Sequence, residues 1–474
     1  MSYAYKMLIA GRWTGSAHTQ EVRNPFSNEV LGTLPVAGPE EVTEAVSAAE
    51  RARAVMKNLP AHERARILMR TAEAITEMHA EMTRRIVLES GKAWKWAHIE
   101  VDRAVENLRF AAEEARRIHG ETVPMDASAG SENRIGYWLR EPVGVIAAIT
   151  PFNFPLNLVV HKVAPAIAAG NSVVLKPAPG TPGPAQELGR LLLEAGLPEE
   201  ALNIIHGGGP DVGEALIRDD RVAMVTFTGS VPAGKKIKEA SGLKKITLEL
   251  GSNSGTLVDA SADIDLAVQR CIMGSFAYNG QVCISVQRIY IHRDIFEEFQ
   301  DRFTAAAREL IIGDPMDPAT DITPMISEQE AERAEAWVTE ACARGAQAIL
   351  GGKREGRIFH PTVLIDVRPE MDVVCNEVFA PVVSLIPVQD FEQGISLLDD
   401  SQYGLQAGIF TRDIHNAFMA IKTLNVGGVM INDVPTYRAD HMPYGGNKNS
   451  GIGREGARFA IEEMTNIKFV CFNL

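Results

Sequence analysis

A cysteine on a glycine-containing loop is the strongest candidate nucleophile in this sequence. Cys283 follows Asn279-Gly280-Gln281-Val282, directly after a helical pattern that Asn-Gly interrupts. Cysteine reacts as its thiolate, and a free thiol has a pKa of about 8.5, so activation requires a base or a positive dipole. The alternative is a buried apolar cysteine. We adopt that interpretation for Cys271, Cys342 and Cys375, which lie within helical or apolar patterns.

Two further polar residues follow predicted strands, where the active sites of parallel sheets form. Glu249 ends a strand before Leu250-Gly251 and is a candidate general base with a raised pKa. Asn153 follows the first buried strand, and its amide N–H is able to stabilise a developing oxyanion by roughly 3 kcal/mol. Taken singly, each has a structural alternative: a solvated strand-end carboxylate for Glu249 and a turn residue for Asn153.

A lysine and two glycine-rich turns are candidates for binding a dinucleotide. Lys176 lies at the end of a strand. One interpretation is that it bonds the hydroxyls or the phosphate of a cofactor, and the alternative is an exposed lysine. The turn 206–213 contains GxGxxxG rather than GxGxxG, and Pro210 removes one amide donor. The turn 227–230 joins a strand to a helix N-terminus, with Gly234 beyond it, which suits a pyrophosphate. Each glycine signal is weak on its own.

Hydrophobic periodicity predicts the elements that position these residues. The first 120 residues are mainly helical in pattern, and strands alternate with helices from Val143 onward. Such alternation predicts parallel βαβ units, and thus an α/β fold with two doubly wound parallel-sheet domains plus a small β arm. The predicted helices are 42–55, 65–87, 101–118, 158–169, 183–195, 212–217, 233–240, 264–277 and 296–311, and the predicted strands are 143–150, 172–176, 202–206, 222–228, 245–250, 256–258, 288–292 and 469–472.

Composition narrows the class of protein. The 474 residues include 47 Lys+Arg and 61 Asp+Glu, a formal net charge of −14, so we expect neither a nucleic-acid nor a membrane partner. The five cysteines are widely spaced without a CxxC pair, which argues against disulfides and a zinc site, and we expect no metal. No apolar run approaches the roughly 20 residues that span a bilayer, and no secretion signal is evident. We therefore expect a cytoplasmic protein.

Short motifs along the whole chain, in this order and spacing, resemble those of the NAD(P)-dependent aldehyde dehydrogenase superfamily. The stretch from Asn432 to Pro443 is most similar to the subgroup that oxidises lactaldehyde, phosphonoacetaldehyde and sulfolactaldehyde, with succinate semialdehyde dehydrogenases as neighbours. The motifs that carry the resemblance are Pro151-Phe152-Asn153-Phe154-Pro155, Lys176-Pro177, Phe227-Thr228-Gly229-Ser230, Glu249-Leu250-Gly251, Gly280-Gln281-Val282-Cys283, Glu377-Val378-Phe379-Ala380-Pro381 and Pro443-Tyr444-Gly445-Gly446.

The resemblance implies a mechanism and a cofactor. Cys283 would attack the aldehyde, Asn153 and the Cys283 N–H would hold the oxyanion, and Glu249 would activate the water that hydrolyses the thioester. NAD is the expected cofactor. NADP is the alternative, because Pro179 stands where many NAD-preferring members carry Glu. The glycines of 206–213 would then be structural. The implied cofactor-binding residues are Thr150, Pro151, Phe152, Lys176, Gly229, Ser230, Glu377 and Phe379.

The resemblance also indicates a short anionic or hydroxylated aldehyde as the substrate. Arg103, His161 and Arg438 fall at positions that line the substrate mouth in this family, and arginine binds carboxylate, phosphonate or sulfonate in a fork. His441 lies in the same final segment as Arg438. The alternative for Arg103 is a surface charge paired with a glutamate on its own helix, namely Glu100 or Glu106.

Two other functions stay open at this point: a CoA-acylating aldehyde dehydrogenase, and a catalytically silent structural member of the fold. Ser252, Gly255 and Ala380 depart from the common family pattern, and their effect on the active-site loops is open.

The resemblance assigns residues 1–121 and 142–250 to a dinucleotide-binding domain, 251–450 to a catalytic domain, and 122–141 and 458–474 to an oligomerisation arm and tail strand. An apolar tail strand needs a partner edge, so we expect a homodimer or homotetramer.

Overall fold

The computed structural model describes residues 3–474, and its first part differs from the predicted helical pattern. Strands occupy most of residues 3–35, so the helical prediction is wrong for that segment. The predicted helix 65–87 is two helices that meet at Met78, where no Gly or Pro marks the break. The elements are β1 (Tyr3–Ala4), β2 (Met7–Ile9), β3 (Arg12–Thr14), β4 (Thr19–Arg23), β5 (Val30–Pro35), α1 (Pro39–Asn58), α2 (Ala61–Glu77), α3 (His79–Ser90) and α4 (Trp94–Ala115).

The middle of the chain follows the predicted alternation, with strand bounds that agree to within a few residues. The prediction is confirmed without change for the strands at 172–176 and 222–228. The elements are β6 (Glu121–Val123), β7 (Arg134–Pro142), β8 (Val145–Ile149), α5 (Asn157–Ala169), β9 (Ser172–Lys176), α6 (Gly183–Glu194), β10 (Leu202–Ile204), α7 (Glu214–Arg218), β11 (Val222–Thr228), α8 (Val231–Ala240) and β12 (Lys245–Glu249).

The second α/β series completes the chain. Its first strand and helices begin where predicted or within one residue. The elements are β13 (Gly255–Val258), α9 (Ile264–Phe276), β14 (Arg288–His292), α10 (Phe296–Arg308), α11 (Glu328–Ala343), β15 (Gln347–Leu350), β16 (Arg354–Glu355), β17 (Ile358–Phe359), β18 (Thr362–Ile365), α12 (Asp372–Cys375), β19 (Val382–Val388), α13 (Phe391–Asp399), β20 (Tyr403–Gly404), β21 (Gln406–Phe410), α14 (Ile414–Thr423), β22 (Gly428–Ile431), β23 (Asn447–Lys448), β24 (Gly451–Ile452), α15 (Ala457–Glu463) and β25 (Thr465–Asn473).

The first large sheet has the order β24-β12-β11-β8-β9-β10-β2-β3. Strands β8 to β12 are parallel to one another. At the two sides of this parallel set, β24 pairs antiparallel with β12 and β2 pairs antiparallel with β10. From β8 the chain winds one way through β9 and β10, then returns to continue through β11 and β12. The topological switch therefore lies between β8 and β11, where doubly wound sheets bind ligands.

The second large sheet has the order β15-β18-β19-β14-β13-β21-β22, with β15 alone antiparallel to its neighbour among the described strands. The two sheets with parallel centres confirm the predicted α/β class, and the antiparallel edge strands are additions that local periodicity did not indicate. Helices α2 to α6 bury one face of the first sheet in a continuous apolar core.

A separate antiparallel sheet joins the end of the chain to the predicted arm. Strand β25 pairs with β7 along its whole length, from Thr465 opposite Pro142 to Asn473 opposite Arg134, and β6 completes the sheet. The predicted tail strand is confirmed and is longer than predicted. No helix within residues 3–474 combines the length and the apolarity that crossing a membrane requires.

Candidate active site

One cavity of about 1030 Å³ lies between the two large sheets and brings most of the predicted site residues together. Its walls come from the carboxyl ends of β8, β11 and β12 and from the segments that precede β13, β14 and β19. The predicted residues that line it are Cys283, Glu249, Asn153, Pro151, Phe152, Gly229, Ser230, Glu377, Phe379, Arg103 and Arg438. Within the described chain, Thr150, Lys176 and His161 do not line it.

A run of left-handed backbone forms the loop that carries Cys283. Tyr278, Asn279 and Gly280 all have positive φ angles, of 48°, 56° and 67°. Such strain persists only where neighbours hold it. The Asn279 side chain does so: its Nδ2 donates to Thr323 Oγ1 and to the Pro324 carbonyl, each at 3.1 Å, and its Oδ1 accepts the Thr323 N–H at 3.0 Å. The predicted end of the helix before Cys283 is thus confirmed, and the loop is rigid.

The thiol of Cys283 is hydrogen-bonded to a tyrosine. Its Sγ lies 2.9 Å from Tyr444 Oη. Burial raises the pKa of Cys283 to about 11, while the Tyr444 hydrogen bond and the positive charge of Arg438 act to lower it. Since a donor to sulfur favours the thiolate, Tyr444 opposes the cost of ionising a buried thiol. The pKa of Tyr444 itself lies well above its usual value because of burial and the nearby Cys283, so it stays a donor.

Glu249, the last residue of β12, is a buried carboxyl group without a partner. Its side chain is 3% exposed, and neither carboxylate oxygen has a hydrogen-bond partner in the described residues. Burial, and next the negative charge of Glu455, raise its pKa well above the usual value. A carboxylate in this state binds a proton more tightly than an exposed glutamate does, which makes it a stronger base.

Asn153 is tied to the loop of the nucleophile. Its Nδ2 donates to the Gln281 carbonyl at 3.0 Å, two residues before Cys283, and its side-chain oxygen is buried without a partner among the described residues. An amide nitrogen carries two N–H bonds, and Gln281 accepts one of them. The other is available for an oxygen atom near the sulfur.

A network of buried charges surrounds Arg438. Its Nη2 donates to Glu455 Oε2 at 3.0 Å, and its guanidinium lies 3.6 Å from the centre of the Tyr444 ring. Glu455 also accepts from Lys162 Nζ at 2.8 Å. Burial opposes ionisation of Glu455, but the charges of Lys162, His161 and Arg438 outweigh it and lower its pKa. The Arg438 Nε–H, by contrast, is buried without a partner among the described residues.

Asp440 contacts the other two predicted substrate residues, Arg103 and His161. Arg103 binds it with two donors, Nε to Oδ2 at 3.0 Å and Nη2 to Oδ1 at 2.7 Å, and His161 Nε2 lies 2.8 Å from Oδ1. Although burial opposes it, the contacts with His161 and Arg103 lower the pKa of Asp440. Arg103 is therefore paired neither with Glu100 nor with Glu106. Within this group the three cations, Arg103, Arg438 and Lys162, outnumber the two carboxylates, Asp440 and Glu455, while the cavity wall also carries the carboxyl groups of Glu249 and Glu377.

His161 differs from its predicted placement at the substrate mouth. The ring is buried in α5 behind the cavity wall, between Asp440 and Arg438 Nη2, which is 3.1 Å from its Nε2. Burial, and then the charge of Arg438, lower the pKa of His161. The ring is connected to the cavity through Arg438 and, by way of Asp440, through Arg103. His441 is exposed and packs at a tilt against Phe110, with ring centroids 4.8 Å apart and an angle of 49° between the ring planes.

The other end of the cavity has the features of a nucleotide cleft. Gly229 leaves no room for a side chain against the Phe227 ring, and Ser230 caps α8 by accepting the Ala233 N–H. Thr150 Oγ1 and Thr228 Oγ1 are buried hydroxyl oxygens without partners in the described residues. A glycine turn, a helix N-terminus and free hydroxyls at the topological switch fit a dinucleotide.

At the nucleotide end of the cavity, Glu377 is buried and is held by a hydrogen bond from the backbone. It accepts the Ser252 N–H at 3.0 Å, and burial raises its pKa to about 7. Ser252, one of the departures from the family pattern, thus contributes only its backbone to this contact. Phe379 has a φ of 50° and packs edge-on against Phe152, with centroids 6.1 Å apart.

Lys176 lies at the end of β9, outside the cavity. Its Nζ donates to the Gly207 carbonyl at 3.1 Å, and burial lowers its pKa to about 8. The backbone N–H of Thr150 donates to the Lys176 carbonyl at 3.2 Å. Lys176 therefore contacts the glycine turn 206–213.

Sequence reasoning missed four residues of this site: Tyr444, which was noted only as part of a motif, and Lys162, Asp440 and Glu455. Lys162 had a usable signal, because it interrupts the otherwise apolar helix α5. A lysine is almost never fully buried unless it is paired. The pairing of Asp440 and Glu455 with residues far along the chain carried no local signal.

Comparison with known proteins gives consistent results. The model of the "Aldehyde dehydrogenase family" matches residues 13–470. A 3-sulfolactaldehyde dehydrogenase of Priestia aryabhattai is 45% identical over 471 residues, 99% of this chain and 98% of that protein. Aldehyde dehydrogenase 21 of Physcomitrella patens, solved with the reaction product succinate, is 38% identical with a TM-score of 0.97 and covers 100% of this chain and 99% of its own.

A second solved structure is the glyceraldehyde-3-phosphate dehydrogenase of Methanocaldococcus jannaschii, complexed with NADP. It is 40% identical, with a TM-score of 0.93, and the match covers 97% of this chain and 100% of that one.

Proposed function

The chain belongs to the aldehyde dehydrogenase family and is an NAD(P)-dependent enzyme that oxidises aldehydes, and we propose that its substrate is a short aldehyde with an anionic tail, converted to the carboxylic acid at Cys283. The observation that carries this proposal is the single cavity in which Cys283, Glu249 and Asn153 meet Arg438.

We propose that the reaction begins with transfer of the Cys283 proton to Glu249, whose raised pKa makes it a strong acceptor. The thiolate, stabilised by the Tyr444 hydroxyl, forms a bond to the aldehyde carbon. The carbonyl oxygen becomes an oxyanion that accepts hydrogen bonds from Asn153 and from the Cys283 backbone N–H. These donors stabilise the thiohemiacetal more than the aldehyde, which is what lowers the barrier.

The residues at the carboxyl ends of β8, β9 and β11 would hold NAD(P). When bound, the cofactor supplies the two-electron oxidant that converts the thiohemiacetal into a thioester. Ser230 and the first turn of α8 would face the pyrophosphate, Lys176 and Thr150 the adenosine side, and Glu377 the nicotinamide ribose. NAD is our first choice and NADP the alternative, because Pro179 neither bonds the ribose hydroxyls nor repels a 2′-phosphate.

The thioester would be hydrolysed by water that Glu249 deprotonates. Its two carboxylate oxygens are free of other hydrogen bonds within residues 3–474, so one is available to accept the proton. Water attacks the acyl carbon, the C–S bond breaks and the carboxylic acid leaves. The unpartnered carboxyl group of Glu249 favours hydrolysis over transfer to CoA, and assays of NAD(P)H formation with and without CoA test the difference.

Arg438 is the residue that we propose to bind the anionic tail. Its Nε–H is buried without a described partner, and the residue lines the cavity. Arg103 has two donors occupied by Asp440 and would assist, and His161 would orient Arg438 from behind. Each of the three similar proteins is associated with an anionic compound. The names of two include sulfolactaldehyde, a sulfonate, and glyceraldehyde-3-phosphate, a phosphate, and the third was solved with succinate, a carboxylate. A screen of aldehydes of two to four carbons tests the proposal, and a preference for long alkyl or aromatic aldehydes would refute it.

Arg438→Lys should separate tail binding from chemistry. Lysine keeps the charge near Glu455 but lacks the Nε–H, so one charge-assisted hydrogen bond of about 1.5–3 kcal/mol is lost. We expect the KM of succinate semialdehyde to rise roughly 10- to 100-fold, with little change for propanal. Arg270→Lys is the matched control, since Arg270 also lines the cavity but its Nε is bound to Asp433 at 2.7 Å. Equal effects on both aldehydes would contradict the assignment.

Tyr444→Phe should raise the pKa of Cys283, because the thiolate loses a hydrogen-bond donor. The loss of one such bond corresponds to about one pKa unit. The pH profile of Cys283 alkylation by iodoacetamide should therefore shift upward, and the rate at neutral pH should fall about tenfold. Tyr403→Phe is the control: Tyr403 lines the same cavity, and no hydrogen bond of its hydroxyl to Cys283 is found. An unchanged profile in Tyr444→Phe would show that Tyr444 has no influence on the thiolate.

We also propose a homodimer or homotetramer located in the cytoplasm. The tail strand β25 exposes Ile467, Phe469 and Phe472, which are 50–62% accessible and suit an apolar partner surface. The five cysteines are all free, as expected in a reducing compartment. Light scattering of the purified protein distinguishes the monomer from either oligomer.

A further inference from the structure

Two histidines and an aspartate form a compact cluster on α3 and α4, away from the residues that line the cavity. His79 begins α3, and His98 and Asp102 lie one turn apart on α4. One ligand atom of each residue, a ring nitrogen or a carboxylate oxygen, lies within 4.8 Å of the other two. We propose that this His79–His98–Asp102 cluster binds a divalent transition-metal cation of the Zn²⁺ type.

The spacing of the donor atoms suits a single ion. His79 Nε2 is 2.9 Å from Asp102 Oδ1, and His98 Nε2 is 3.7 Å from Asp102 Oδ2. Ligand atoms in a tetrahedral site with bonds of about 2.1 Å are about 3.4 Å apart. The two observed separations, which run to different oxygens of Asp102, lie on either side of that value, and one ligand atom of each of the three residues lies within 4.8 Å of the others. Small rotations of the side chains would therefore bring all three donors into coordination.

A threonine fixes the orientation of His79. The Thr83 hydroxyl donates to the His79 carbonyl at 2.9 Å, and its oxygen lies 3.3 Å from His79 Nδ1. In the tautomer that carries its hydrogen on Nδ1, that oxygen accepts from Nδ1–H and Nε2 keeps a lone pair for a cation. The 2.9 Å between His79 Nε2 and Asp102 Oδ1 is the distance of a His–Asp hydrogen bond, and a bound cation would replace the proton of that bond. Metal-binding histidines are commonly fixed in this way through their second nitrogen.

The donor set indicates the class of ion. Two imidazoles and one carboxylate suit Zn²⁺, Co²⁺, Ni²⁺ or Cu²⁺, whereas Mg²⁺ and Ca²⁺ prefer oxygen ligands alone. The side chains of His98 and Asp102 are 52% and 59% exposed, so water has access to complete the coordination. The expectation of no metal rested on cysteine spacing, which carries no information about ligands shared by two helices.

The proposed ion would join two helices across the short segment that connects them. That segment carries Lys92, whose ammonium is paired with Glu100 in the protein interior. Helix α4 also carries Ile99 and Arg103, which line the cavity mouth. Binding of the cation would thus stabilise α3 against the helix that supplies one side of the mouth, and the unfolding temperature should rise with added Zn²⁺.

The test is a Zn²⁺ titration of the full-length protein against a chromophoric chelator, with the thiols blocked by N-ethylmaleimide. The wild type should bind one equivalent. His98→Ala and Asp102→Asn should each weaken that binding at least about tenfold. His360→Ala is the matched control, because His360 likewise lies 3.1 Å from a carboxylate, that of Glu355, but has no third ligand. It should bind like the wild type.

Co²⁺ provides a second readout on the same four proteins. The wild type and His360→Ala should develop visible d–d bands without sulfur-to-cobalt charge transfer, and the other two variants should not. The proposal is overturned if the wild type binds no ion, if either His98→Ala or Asp102→Asn keeps the site at full affinity, or if the cobalt spectrum shows sulfur ligation.

Discussion

Replacement of Cys283 by serine is expected to abolish aldehyde-dependent reduction of NAD(P), with a loss of kcat on the order of 10⁴-fold or more. An alcohol is far harder to ionise than a thiol, and Tyr444 and Arg438 are too weak to offset that difference. The fold should be unaffected, since sulfur and oxygen differ little in size. The measurement is steady-state production of NAD(P)H, accompanied by the unfolding temperature of the variant.

Cys375→Ser is the control for that experiment. Cys375 ends α12 and is partly buried, like Cys283, but does not line the cavity within the described residues. It should keep nearly full activity. Full activity in Cys283→Ser would mean that the reaction does not pass through this sulfur, and the silent structural alternative predicts instead that neither protein has activity.

Glu249→Gln should separate the two halves of the reaction. The amide cannot accept a proton from water, so thioester hydrolysis should slow by roughly 10²- to 10⁴-fold, as expected for loss of a general base. Glu249 also accepts the Cys283 proton in the wild type, but in this variant water can take that proton and Tyr444 still stabilises the thiolate, so the first turnover should be slower but should remain. Rapid mixing should then show a burst of NAD(P)H equal to the concentration of active sites, followed by a very slow steady state.

The pH dependence of the wild type follows from the same carboxyl group. Burial and Glu455 raise the pKa of Glu249, and the base works only when deprotonated. The kcat should therefore fall as the pH drops below this raised pKa, and that acid limb should be absent in Glu249→Gln. A variant that loses the burst as well would show that Glu249 is required to deprotonate Cys283, and an unchanged kcat would contradict its role as the base.

The central strands and the loop that carries Cys283 could be predicted because their signals are local. Strand β9 and strand β11 are short apolar runs bounded by turn residues, and their predicted ends coincide with those observed. The loop before Cys283 was marked by Asn279-Gly280, which the structure shows in left-handed conformation. The fold class followed from the alternation of such segments.

The charged network beside the cavity could not be predicted, because its members meet only after the chain has folded. Arg103 and Asp440 are 337 residues apart, and His161 and Asp440 are 279 apart. The place of the first strands in the sheet has the same cause: β2 forms a short hairpin with β3, but it joins the large sheet by pairing with β10, nearly 200 residues later. Local periodicity cannot show that a short segment will be held by a distant sheet edge.

The most direct test of the account is mass spectrometry of Glu249→Gln quenched after mixing with succinate semialdehyde and NAD(P). The account predicts a mass increase equal to the acyl group, confined to the peptide that contains Cys283 and absent when the cofactor is omitted. An unmodified protein after a full burst of NAD(P)H, or an acyl group on another residue, would contradict it.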